Sequence, residues 1–169
     1  MRKVGYFLIL LLLVSSACSS ISDKELFDSA KKKITEQKYS EALKDFQKIV
    51  DEYPESKYYI ESLFEIGKMY HGKVVKNISS EESFKKAIGY YKKVFEKDPD
   101  GPYSQKSLFM IGFIQANELH QFEEAKKSYN LFIQKYPESE LTAAAKAELD
   151  NLGIPPEEIL KKNGDIDEK

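Results

Sequence analysis

The chain has 169 residues, 41% hydrophobic and 32% charged, with a formal charge of −2, proportions compatible with one soluble helical domain. Arg2 is the only arginine, which argues against a nucleic-acid binder that clamps phosphates with guanidinium groups. One cysteine excludes an intrachain disulfide and, with no ligand neighbours, a zinc site.

Met1-Arg2-Lys3 is a short positive start, Val4 to Val14 an apolar run, and Ser15-Ser16-Ala17 a small-residue exit. That order describes a bacterial-type secretory signal over residues 1–17. The run is too short for a spanning helix, which needs about 20 apolar residues. Cys18 follows directly, and Val14-Ser15-Ser16-Ala17-Cys18 resembles a lipobox, although Ser15 stands where leucine is usual. The resemblance implies acylation of Cys18 and a membrane anchor. Ser15 and Ala17 also suit ordinary cleavage, which would leave Cys18 a free thiol. Removing Arg2 and Lys3 with the signal takes the charge from −2 to −4.

Residues 18–22 read as a tether, and residues 23–152 as the folded domain. Ser22 and Glu25 form a capping box that opens a helix to about Gln37, with Leu26, Phe27, Ala30 and Ile34 as its apolar stripe. Ser40 is placed to cap a second helix, which Pro54 ends because proline lacks the amide donor. Ser56 is placed to cap a third, lined by Tyr59, Ile60, Leu63, Phe64, Ile66 and Tyr70. About eight extra residues follow near 71–84, where Ser79 and Glu82 suggest a fourth helix that starts early, and where substitutions over 72–78 are expected to be nearly silent. Asp98-Pro99-Asp100-Gly101-Pro102 is a turn. A third pair runs from about Tyr103 to Lys135, and Ser139 is placed to cap a final helix through Asn151 whose polar face closes the stack. Residues 153–169 read as one helical turn and a disordered tail.

Three copies of one pattern organise this order. Ala42 and Phe46 precede Tyr53-Pro54-Glu55-Ser56, Ala87 and Tyr91 precede Asp98-Pro99, and Ala125 and Tyr129 precede Tyr136-Pro137-Glu138-Ser139. The small residue stands twelve before the proline each time, from 42 to 54, 87 to 99 and 125 to 137. Ser62 to Gly67 and Ser107 to Gly112 repeat a second phrase. Together these resemble tetratricopeptide repeats. The expected fold is therefore all-α, a right-handed stack of three antiparallel helix pairs with a C-terminal capping helix.

The carboxylate pairs Glu81-Glu82, Glu123-Glu124 and Glu157-Glu158 fall near helix starts, where the helix dipole favours negative charge. His71 and His120 read as surface histidines beside turns, without a nucleophile or second ligand at helical spacing. No catalytic, cofactor or metal residue is expected, and the chain does not read as an enzyme. The candidate working surface is the concave face, lined in such repeats by the first helix of each pair. Aligning Ala30, Gly67 and Gly112 makes Phe27, Phe64 and Phe109 equivalent, with Lys31, Lys68 and Phe113 one turn on. One reading is an aromatic groove with ammonium flanks for an extended or helical peptide; the other is that the phenylalanines are inter-repeat core. Reversing both lysines is expected to weaken capture and leave the fold intact.

A signal, a cysteine and helix pairs ending in Tyr-Pro-Glu-Ser are similar to envelope repeat lipoproteins, of the type of the BamD-like outer-membrane assembly lipoproteins and the Tol-Pal-associated repeat proteins. The similarity implies a scaffold at the outer membrane facing the periplasm, accessory to outer-membrane protein assembly. Its implied partners are another envelope protein or peptide segment and, through acylated Cys18, the membrane; nucleic acid is not among them. A chaperone or pilotin for a secretin or pilus system is the alternative.

Overall fold

The computed structural model describes residues 21–155, 157–159 and 161; the signal, Cys18 and the tail beyond Lys161 lie outside them. Among the described residues seven α-helices follow one another up to Asp150: α1 (Asp23–Thr35), α2 (Tyr39–Glu52), α3 (Tyr59–His71), α4 (Ser80–Lys97), α5 (Ser104–Phe113), α6 (Phe122–Lys135) and α7 (Thr142–Asp150). A π-helical turn, Ile114–Glu118, continues α5. Each helix packs on the next in the chain, the arrangement of a repeat stack. The fold is the expected all-α, tetratricopeptide-like one: three helical hairpins and a closing helix.

The prolines act as anticipated. Tyr53, Asp98 and Tyr136, each the residue before a proline, leave the helical region with φ of −130°, −144° and −127° and positive ψ, because the proline ring crowds a helical conformation at the residue it follows. The two tyrosines then close their hairpins: Tyr53 Oη donates to the Ile21 carbonyl at 2.6 Å, and Tyr136 Oη to that of Pro99.

The small residues of the first helices face rings of the second. A Cβ built on Gly67 would lie 2.8 Å from Tyr91, and one on Gly112 2.9 Å from Tyr129. Both rings are fully buried, so glycine is what admits them. Phe46 holds the equivalent position in the first hairpin, where Ala30 takes the place of the glycines and both are fully buried.

Several caps differ from expectation. The Ser22–Glu25 box is complete, whereas Ser79 accepts from the Glu82 amide without the return bond. Ser40 does not cap α2, which starts at Tyr39 after Lys38. Ser56 and Ser139 lie too far ahead of α3 and α7 to cap them. Their hydroxyls accept instead from the amides two residues on, Tyr58 at 3.0 Å and Leu141 at 3.3 Å, the local bond serine favours in turns.

The thirteen residues from Gly112 to Ala125, against twelve from Ala30 to Ala42, do not lengthen the turn. Three residues separate the helices in both hairpins, with the middle one left-handed: Gln37 at φ 59° and His120 at φ 53°. The extra residue is absorbed inside the helix as the π turn, where Leu119 N donates to Ile114 O at 3.0 Å. The insertion after α3 is also more ordered than its sequence suggests. Val74, Val75 and Ile78 pack against the core, so the expectation that changes there are silent is corrected.

Candidate functional site

The face shared by α1, α3 and α5 carries all the groove residues selected from the sequence, arranged in rows. Lys24, Glu61 and Lys106 form one row, Phe27, Phe64 and Phe109 the next, and Lys31, Lys68 and Phe113 the third.

The phenylalanines are shared with the packing between hairpins. Phe27 stacks on Tyr58 at 4.5 Å and meets Phe46 edge-on at 5.9 Å. Phe64 repeats this with Tyr103 at 5.0 Å and Tyr91 at 5.7 Å. Phe109 sits 5.9 Å from both Tyr129 and Phe132. Each ring therefore bridges the second helix of its own hairpin and, in the first two, the tyrosine that opens the next. Tyr58 and Tyr103 stand four residues after Pro54 and Pro99; four after Pro137 comes Leu141, where the stack ends. Phe27 is buried, while Phe64 and Phe109 keep part of their surface open.

The lysines are not the free ammonium groups that their spacing suggested. Lys31 Nζ lies 2.8 Å from Glu65 Oε1 and 3.4 Å from Glu61, and Lys68 Nζ lies 2.9 Å from Glu65 Oε2. The Glu65 side chain is only 8% exposed. Burial pushes its carboxyl up, but the hydrogen bonds from Lys31 and Lys68 outweigh that and hold it below the ordinary range. Lys31 shows the mirror case: burial lowers it, Glu65 raises it, and the net shift is upward. Both ammonium groups also stand over rings, each 5.8 Å from the centre, of Phe27 and Phe64 respectively. Burial, with Glu61 adding to it, pushes the Tyr103 phenol up to about 12.

This network overturns the expectation that reversing both lysines would spare the fold, because two new carboxylates would face a buried one. Glu65 was missed from the sequence because a glutamate reads as surface. Its signal was its place between Phe64 and Ile66 on a helix where Leu63, Ile66, Gly67, Met69 and Tyr70 are also buried.

Phe113 meets a different neighbour. His71 lies between it and Phe84, 6.1 Å from each ring, and burial lowers its pKa, with Glu118 opposing. His71 is therefore half-buried, contrary to the surface expectation, whereas His120 is exposed as expected.

Chemically, the face offers aromatic edges beside an ion network that ties α1 to α3. Such a surface can hold a peptide segment by apolar contact. Comparison with known proteins agrees with an envelope setting: a family model described as outer membrane lipoprotein (YfiO) matches residues 19–153. No curated protein matches the chain. The matched span takes in every helix from α1 to α7 and the residues that build the face, and on that ground the chain belongs to the BamD-like YfiO family of outer membrane lipoproteins.

Proposed function

We propose that the protein is a non-catalytic scaffold, anchored in the outer membrane through acylated Cys18 and facing the periplasm, that holds a segment of another envelope protein on the concave side of its stack in support of outer-membrane protein assembly. The observation that carries this reading is the register of the first helices, whose three rows coincide on one face and are linked across hairpins by Lys31, Glu61 and Glu65. A fixed spacing between equivalent side chains is what an extended or helical peptide needs in order to meet several hairpins at once. Lys31 and Lys68 are engaged with Glu61 and Glu65 and are not free to select an acidic ligand. The fitting segment is thus one that brings apolar side chains to Phe64, Phe109 and Phe113. Family membership supports the envelope setting.

The test is photo-crosslinking in intact cells from Lys106 on this face, with exposed Lys127 on α6 as the control. Capture of an outer-membrane assembly protein from position 106 and not from 127 is expected, together with release of a Cys18→Ala variant from the membrane fraction. Equal capture from both positions, or none from 106, rejects the concave-face reading; membrane retention of the alanine variant rejects the anchor.

A further inference from the structure

The outer face of α4 carries a feature that its fold does not need. Gly89 stands in the middle of this 18-residue helix, exposed, and a Cβ built there would meet nothing within 4 Å. Its φ is not positive, so no backbone strain calls for glycine. Glycine in a helix interior is destabilising relative to alanine, so the residue works against the element that contains it. Counting two residues from the repeated alanines, the equivalent positions are Lys44 after Ala42 and Lys127 after Ala125. The side chain is missing only at the central hairpin.

Around Gly89 the surface is basic. Lys85 and Lys86 lie one turn before it and Lys92 and Lys93 one turn after, all exposed. Lys85 and Lys86 are paired along the helix with Glu81 and Glu82. Lys92 and Lys93 have no carboxylate within ion-pair distance among the described residues; Lys93 instead stands over the Tyr90 ring at 5.1 Å. The chain as a whole is negative, so this concentration of cations is a local departure. The two lysine pairs are seven residues apart, about 10 Å along the axis.

From this juxtaposition we infer that the outer face of α4 is a docking surface for an acidic helix of a partner protein, which lies close against the helix at Gly89 while its carboxylates meet Lys85, Lys86, Lys92 and Lys93. A bare backbone allows the axes to approach, as small residues do wherever helices cross closely. Cations a turn to either side select carboxylates at i and i+7 on the incoming helix and repel basic competitors. A flat anionic membrane fits less well, because it would press on Glu81, Glu82 and Glu96 of the same face. This surface lies on a second helix of its hairpin, opposite the face proposed above, so the two readings stand or fall separately.

The test uses the full-length protein in detergent and a fluorescein-labelled alanine-rich helical peptide with glutamates at i and i+7 flanking an alanine. The control peptide has glutamines in their place. Fluorescence anisotropy is expected to show the acidic peptide binding at least tenfold more tightly than the control. Gly89→Gln, which restores a side chain and favours the helix, and Lys92→Gln with Lys93→Gln are each expected to reduce that binding about tenfold without lowering the melting temperature. Binding that Gly89→Gln leaves unchanged, equal binding of the two peptides, or a preference for phosphatidylglycerol vesicles over the peptide overturns the inference.

Discussion

At the scale of single residues, Glu65 governs how the first two hairpins meet. It is held by two cations that are themselves 43% and 51% exposed, so the attraction is partly screened and the pairing is worth less than that of a fully buried group. What matters more is the carboxylate left behind when its partners go. Lys31→Ala with Lys68→Ala should lower stability by about 1–2 kcal/mol, measured by urea unfolding. Adding Glu65→Met to that pair should recover most of the loss, since the triple variant leaves no charge stranded. A triple variant no more stable than the double would show that the stranded carboxylate carries no cost, so that the loss in the double is the lost attraction and packing of the lysines.

His71 gives a second residue-scale expectation, this time in pH. Its folded pKa is lowered below the ordinary value of 6.5, so the folded state prefers the neutral ring and the unfolded chain takes up the proton first. Stability should therefore fall as pH drops below about 6.5 and level off below the folded pKa. Melting temperatures taken between about pH 7 and 5 should decline for the wild type and decline less for His71→Phe. The Glu65 contribution is lost at lower pH, below the ordinary glutamate value of 4.5, because its folded pKa is depressed. The two windows are separable.

At the scale of elements, the legible parts were those dictated by backbone chemistry. A proline ends a helix whatever surrounds it, so Pro54, Pro99 and Pro137 fixed three boundaries, and the two repeated phrases marked the first and second helices, although the contact of Gly67 with Tyr91 and of Gly112 with Tyr129 emerged only from the packing. Caps were less legible because Ser40, Ser56 and Ser139 have several amides in reach, and the turn decides among them. The π turn left only a one-residue discrepancy in spacing, which a longer loop would have explained equally well. Rows across the shared face could be aligned from sequence, whereas the pairing of Lys31 and Lys68 with Glu65 depends on how two hairpins dock. The loop between α3 and α4 tests the corrected view of the insertion. Val74→Ala and Ile78→Ala should each cost about 1 kcal/mol in chemical denaturation, whereas Lys76→Ala, exposed beside them, should cost nothing measurable.

At the scale of the whole molecule, packing passes from each helix to the next, so damage should stay local. The closing helix shows this best. Ala145 is fully buried, Thr142 Oγ1 donates to the Tyr136 carbonyl at 2.7 Å, and Asn117 and Tyr129 reach Glu148. Ending the chain at Ser139 removes all of these, the Glu148 partner of Tyr129 among them. Amide hydrogen exchange should then quicken strongly in α5 and α6, less in α3 and α4, and least in α1 and α2. Uniform loss of protection would mean that the stack unfolds as a single unit.

The bonds at the start of the chain bear on mechanics. Tyr53 Oη holds the Ile21 carbonyl, and Ser56 Oγ donates to Asp23 Oδ2 at 2.6 Å, so the root of the N-terminal segment is fastened to the corner between α2 and α3. Two residues, Ser19 and Ser20, lie between Cys18 and Ile21, a reach of about 10 Å at full extension. Were Cys18 held in a bilayer, as proposed above, the lever arm would be short. A pull on the body would then pass through the Ile21 and Asp23 bonds to the corner between α2 and α3, and the molecule would bear load as a bracket bolted at that corner.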